Sequence, residues 1–258
     1  MLSYQHIFHA GNPADVHKHA LLCTMLSYMT RKDKPLSYLE SHAGRALYDL
    51  SSAEALKTGE AEAGICALTD KFAPDHPYIQ ALDALREQHG NTAYAGSPML
   101  AALSLRPIDK LHLAELHPQE YLALRDAMRP HNARCYRQDG FEMVQAVCPP
   151  QPRRGLLLID PSYEIKSDYD AIPRQIARLH RKWNVGVIAL WYPILTSGAH
   201  SQMIRTLKAQ NLPDVLHHEV TFPPARDGHR MTGSGMFIIN APYGLETEAK
   251  ALTQMFQT

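Results

Sequence analysis

Gly155-Leu156-Leu157-Leu158-Ile159-Asp160-Pro161-Ser162-Tyr163 is the stretch that decides how this chain folds. A continuous apolar run of this length, closed by Asp-Pro, reads as a strand buried on both faces. Such strands belong to parallel sheets covered by helices on both sides. Working outward, residues from about 168 to 183 carry a helical pattern, VGVIALWYP (185–193) is another buried strand, and residues 200–210 are helical. VLHHEVTF (215–222) and GMFIIN (235–240) read as strands with only a loop between them, which predicts an antiparallel edge hairpin. Upstream, LSYLE (36–40), LHLAEL (111–116) and CYRQDG (135–140) are short strands, each followed by a turn or a helix. An amphipathic helix over 14–31 precedes them and stops before KDKP, because Pro35 discourages continuation. Ser97-Pro98 reads as a helix cap followed by proline at the first helical position. This alternation predicts an α/β fold, with about seven strands in a mostly parallel sheet joined by right-handed crossovers. Residues 50–92 break the alternation and read as a small helical insertion within one domain spanning 1–258.

The 258 residues suffice for such a core. Lys+Arg and Asp+Glu each number 26, so the chain lacks the basic excess of a protein that coats nucleic acid without specificity. The four cysteines, Cys23, Cys66, Cys135 and Cys148, form no CxxC pair. They read as reduced thiols, neither a zinc site nor a disulfide framework, and so favour a cytoplasmic protein. The N-terminal residues lack the apolar core of a signal peptide, and no apolar run is long enough to span a membrane.

In doubly wound sheets the ligand lies beyond the carboxyl ends of the strands. The residues to weigh are therefore those that follow each strand. Asp160-Pro161-Ser162-Tyr163 is close to the D/N-P-P-Y/F/W motif of methyltransferases acting on planar exocyclic amines. The lone pair of such an amine is delocalised into the ring and is a poor nucleophile. A carboxylate and a backbone carbonyl that accept its two N–H bonds favour a pyramidal nitrogen and free the lone pair for in-line attack. The aromatic ring can stack on the base. A plain strand-ending Asp-Pro turn with a packed tyrosine has the same spelling. Glu115 follows the second strand, where a carboxylate can accept both ribose hydroxyls of a nucleoside cofactor. Asp139 follows the third, where it can meet an adenine amine. Gly44 is the single glycine of HAGRAL, and no phosphate-binding G-x-G-x-x-G is present. The run His6, His9, His17 and His19 invites a metal reading, but solvated or packed histidines are commoner, and no metal is expected.

The segments MLSYQHIFHAGNPADVHKH, SYLESHAG, YAGSP, AELHP, DGF, RRGLLLIDPSYE, ALWYP and RMTGSGMFIIN occur in this order. Together they resemble the RlmJ-type family of bacterial 23S ribosomal RNA adenine-N6 methyltransferases, over nearly the whole chain. The resemblance implies a Rossmann-like class I methyltransferase fold with a helical insertion. It also implies S-adenosylmethionine as methyl donor and an adenine of 23S ribosomal RNA as acceptor; a monomer is expected, although no sequence feature fixes the oligomeric state. Asp160, with Pro161, Ser162 and Tyr163, resembles the catalytic motif. His19, His42, Ser97, Glu115, Asp139, Gly140 and Asp160 resemble the cofactor contacts, and Lys18 and Gly44 adjoin them. Tyr4 resembles a residue of an N-terminal arm that meets the RNA.

Three departures stand out. Ser162 replaces the second proline of the motif, which predicts a less pre-organised acceptor loop. Arg45-Ala46 stands where the family tends to have a further glycine. The chain also ends soon after GMFIIN and NAPYG, which predicts a short or missing C-terminal strand extension. The tetrapeptide chemistry equally serves adenine in DNA or a protein glutamine amide, and Ser162 leaves room for a catalytically silent RNA-binding homologue.

Overall fold

A computed structural model describes residues 4–225, 228 and 230–257. Met1–Ser3 of the N-terminal motif and Thr258 at the end of the expected domain lie outside these residues. The elements of the main sheet are β1 (Ser37–Glu40), β4 (Lys110–Ala114), β5 (Ala133–Tyr136), β6 (Gly155–Ile159), β7 (Val187–Leu195), β8 (Leu216–Thr221) and β9 (Met231–Ile239). Their order is β5-β4-β1-β6-β7-β9-β8, parallel from β5 to β7, with β9 antiparallel to both β7 and β8. This is the seven-stranded, mostly parallel sheet that the alternation predicts, with the hairpin at one edge, in the Rossmann-like arrangement that the resemblance implies.

β6 lies between β1 and β7, which explains its uninterrupted apolar spelling. Leu156 and Leu158 join one core, and Leu157 and Ile159 join the other, as the period-two alternation of a strand requires. The first core is covered by α1 (Pro13–Thr30), α3 (Pro77–His89), α4 (Ser97–Ser104) and α9 (Leu245–Gln257). The second is covered by α6 (Gly140–Val147), α7 (Asp168–Lys182) and α8 (His200–Lys208). α5 (Pro118–Ala127) follows β4. α1 is less amphipathic than the sequence implies. It is covered on nearly every side, and residues as polar as Asp15, His17, Lys18 and His19 are buried in it.

The segment at 50–92 holds α2 (Ala53–Thr58), a π-helical turn (Glu62–Cys66) and α3. Two short strands bracket it, β2 (Leu47–Asp49) and β3 (Ala93–Ala95), paired antiparallel as a separate sheet. The sequence does not announce these strands, because three residues are too few to establish a period. At the other end, the chain continues past β9 into α9, which packs on β8 and α1, and no further strand forms among the described residues. All four cysteines are free, and no described helix is long and apolar enough to cross a membrane.

Candidate active site

The carboxyl ends of β1, β4, β5, β6 and β7 open into a cavity of about 410 Å³. Every residue that the sequence offers for catalysis, cofactor or RNA contact lines it: Tyr4, Lys18, His19, His42, Gly44, Ser97, Glu115, Asp139, Gly140, Asp160, Pro161, Ser162 and Tyr163. They come from the N-terminal arm, α1 and the strand ends, positions far apart in the chain.

α1 supplies a device that sequence reasoning missed. Asn12 caps the helix by accepting from the Asp15 amide at 2.9 Å, and Pro13 follows at the first helical position. Asp15, Lys18 and His19 then share one helical face. The Lys18 ammonium donates to Asp160 Oδ2 at 2.6 Å and lies 3.1 Å from Asp15 Oδ1. Burial alone would favour the neutral amine, but the two carboxylates overcome it and hold Lys18 firmly cationic. Asp15 is likewise driven well below the usual carboxylate range, because His6 and Lys18 outweigh its burial. The His6 ring bridges Asp15 Oδ2 at 2.8 Å and the Tyr4 hydroxyl at 2.8 Å. A continuous chain of polar contacts thus runs from Tyr4 through His6, Asp15 and Lys18 to Asp160. The signal available in the sequence was Asp15, three residues before Lys18 on a capped helix.

The four N-terminal histidines do not converge. His6 meets Asp15, His9 meets Glu60, His17 meets Ser234 and His218, and His19 meets Tyr94. Among the described residues no group of three His, Cys, Asp or Glu side chains is arranged to hold a metal ion. Burial pushes the His19 ring down to about 3, Lys18 adding to burial and Asp15 opposing it, so His19 is a neutral wall of the cavity.

The strand ends of β1 and β4 build the other half. Gly44, in the left-handed region at φ 63°, donates its amide to Glu115 Oε2 at 2.8 Å, and the His117 amide donates to Oε1 at 2.7 Å. Burial raises the Glu115 carboxyl, and these two amides oppose it. Asp139 caps α6 by accepting from the Glu142 amide at 3.0 Å. Gly140 opens that helix against β1: a Cβ there would stand 1.8 Å from the Ser41 carbonyl oxygen. His42 meets the ring of Phe141 edge-on, with centroids 5.7 Å apart. Ser97 does not cap its helix. Gly96 occupies that place, and the Ser97 hydroxyl donates to Glu40 Oε1 at 2.5 Å. Arg45, the departure noted in the sequence, forks onto Glu120 at 2.9 and 2.6 Å, and Ala46 takes φ 68°, a conformation natural to glycine.

The donor set suits a cationic nucleoside cofactor and not a pyrophosphate. Asp15, Glu115, Glu120, Asp139, Asp160, Glu164 and Asp168 line the cavity, against one ammonium, Lys18. A sulfonium with an amino-acid tail fits that balance, and phosphates would meet repulsion. In the acceptor loop, Tyr163 takes φ 56° and its hydroxyl donates to the Trp191 carbonyl at 2.7 Å, so its ring is fixed between Tyr169 and Trp191. Ser162 does not cap α7, which Ser167 precedes.

Glu40, also missed in the sequence, accepts from both Ser97 and Tyr38 and is fully buried. Burial pushes its carboxyl up to about 8 against those two donors. The folded chain then keeps a proton that the unfolded chain releases near pH 4.3. Stability should therefore fall as pH rises from about 4.3 to 8, and Glu40→Gln should flatten that decline in urea melts across the range.

A family model described as "RsmJ: Ribosomal RNA large subunit methyltransferase D, RlmJ" matches residues 33–258. The chain is 41% identical over 252 residues to "Ribosomal RNA large subunit methyltransferase J" of Escherichia coli (strain K12), covering 96% of this chain and 90% of that protein. It is 40% identical over 261 residues to the protein of the same name from Haemophilus influenzae, covering 98% and 92%. A solved structure from Legionella pneumophila superimposes with a TM-score of 0.87 at 34% identity, over 97% of this chain and 93% of that one. By sequence along nearly its whole length, the chain belongs to the RlmJ family of large-subunit ribosomal RNA methyltransferases.

Proposed function

We propose that this chain transfers a methyl group from S-adenosylmethionine to the N6 amine of an adenine in 23S ribosomal RNA. The observation that carries the reading is Asp160, presented at the end of the central strand with one oxygen fixed by Lys18. Among the described residues no partner takes the other oxygen, which is left for an amine N–H. The Pro161 carbonyl is the second acceptor, as the amine chemistry requires. S-adenosylmethionine, when bound, supplies the electrophilic methyl. Glu115 and Asp139 would accept from its ribose and adenine, and the Ser97 hydroxyl, with its hydrogen directed at Glu40, offers lone pairs to its ammonium. Trp191 and Pro193 line the acceptor side, where a planar base can stack. The family supports ribosomal RNA as substrate, and the motif chemistry supports the amine.

A tritiated-methyl assay on unmodified large-subunit RNA, followed by nucleoside mass spectrometry, tests this directly. N6-methyladenosine is the expected product. Cofactor binding without methyl transfer to RNA would favour the silent homologue instead.

Tyr4 belongs to the arm, where it is partly exposed, stacks on His9 and contacts His6. Tyr4→Ala should weaken methylation of RNA by about tenfold or more, the scale of one lost stacking contact, and leave S-adenosylmethionine affinity within about threefold, or about 0.7 kcal/mol. Kinetics with varied RNA beside cofactor calorimetry separates the two, and unchanged RNA kinetics would make the arm merely structural.

A further inference from the structure

We propose that the outward face of α7 and α8 is a second RNA contact, a phosphate-binding track leading away from the acceptor loop. This rests on the reading of the chain as an RNA methyltransferase. In a chain with 26 basic and 26 acidic residues, the stretch from 171 to 213 contains six Lys or Arg and not one Asp or Glu. The fold brings those charges together. Ile172, Ile176 and Leu179 of α7, and Met203, Ile204 and Leu207 of α8, are buried in the same core, and Gln210 just past α8 donates to the Pro173 carbonyl at 3.0 Å. The opposite faces of both helices are therefore turned outward together. Arg174, Arg178, Arg181, Lys182, Arg205 and Lys208 are all exposed there.

A solvated helix face usually mixes signs, with i,i+4 acid–base pairs that support the helix. Here, among the described residues, no carboxylate pairs with Arg174, Arg178 or Arg181. Their spacing of four and three residues places them roughly 5–6 Å apart along one stripe, close to the step between successive phosphates. Arginine forks suit phosphate oxygens and hold them in fixed geometry. The stripe starts where it is useful: Ile165 and Asp168, at the entry to α7, line the cavity, and exposed Lys166 lies between them. The helix dipole favours bases in the last turn, which accounts for Arg181 and Lys182 but not for Arg174 or Arg178 in the middle of the helix.

The test compares two triple variants with equal loss of charge. One is Arg174→Gln/Arg178→Gln/Arg181→Gln. The other is Lys110→Gln/Arg129→Gln/Arg134→Gln, exposed positions on and beside β4 and β5. Filter binding of unmodified in vitro-transcribed 23S RNA would be measured from roughly 50 to 200 mM salt, with melting temperature and S-adenosylmethionine calorimetry alongside. The α7 variant should bind RNA at least about tenfold more weakly, and its log–log salt slope should be shallower by about 2, near 0.7 per lost single-strand phosphate contact. Its melting temperature and cofactor affinity should match the wild type, and the β4–β5 variant should bind RNA as the wild type does. Equal losses in both variants would reduce the effect to net charge and overturn the track. An α7 variant indistinguishable from the wild type would also overturn it, leaving an acidic protein partner as the use of that face. If the wild type itself neither binds nor methylates RNA, the functional reading falls first and this proposal with it.

Discussion

Asp160→Ala is expected to lose turnover by about 10²- to 10⁴-fold, the usual contribution of one group acting on the reacting proton or charge. The side chain is positioned by the strand that carries it and by the Lys18 ammonium at 2.6 Å, and it faces the cavity from the end of β6. Neither of its motif neighbours can replace it. Tyr163 is held through its hydroxyl by the Trp191 carbonyl, and Ser162 offers no carboxylate. Cofactor affinity should change far less than turnover, because the cofactor contacts proposed for Glu115 and Asp139, which also line the cavity, stay in place. Single-turnover methylation and cofactor calorimetry on the same preparation would show this separation. A variant keeping more than about a tenth of wild-type turnover would remove Asp160 from the chemistry.

Lys18→Met should do damage of a different kind. Lys18 is 5% exposed between Asp15 at 1% and Asp160 at 14%. Removing its charge leaves two carboxylates facing each other without a counterion. Breaking a buried pair in this way costs on the order of 3–5 kcal/mol. In a domain of this size that is a drop in Tm on the order of 10 °C. Activity should fall as well, since Asp160 loses the donor that fixes its orientation. The two effects separate in Lys18→Met/Asp160→Asn, which removes one of the stranded charges. It should regain part of the Tm in thermal melts and none of the activity. A single variant with unchanged Tm would show that the ion pairs do not form in solution.

The sequence alone determined the layers and the strand ends. A period-two or unbroken apolar run declares its burial locally, so β6, β7 and the late hairpin were legible from 155–163, 185–193 and 215–240. Because ligands in such sheets gather beyond the strand ends, topology alone points to Glu115, Asp139 and Asp160. Tertiary structure decided what those residues touch. Ser97 reads as a cap because Ser-Pro at a helix start is a local signal, yet its hydroxyl reaches Glu40, 57 positions away. Asp15 and Lys18 carry no local sign of the ion pair that Lys18 forms with Asp160 once α1 is covered on nearly all sides and Asp160 arrives from β6. β2 and β3 exist through pairing between segments too short to carry a pattern of their own. Local sequence encodes which faces of an element shun water. It does not encode which buried charge will find its counterion, because that depends on chain segments brought together only by folding.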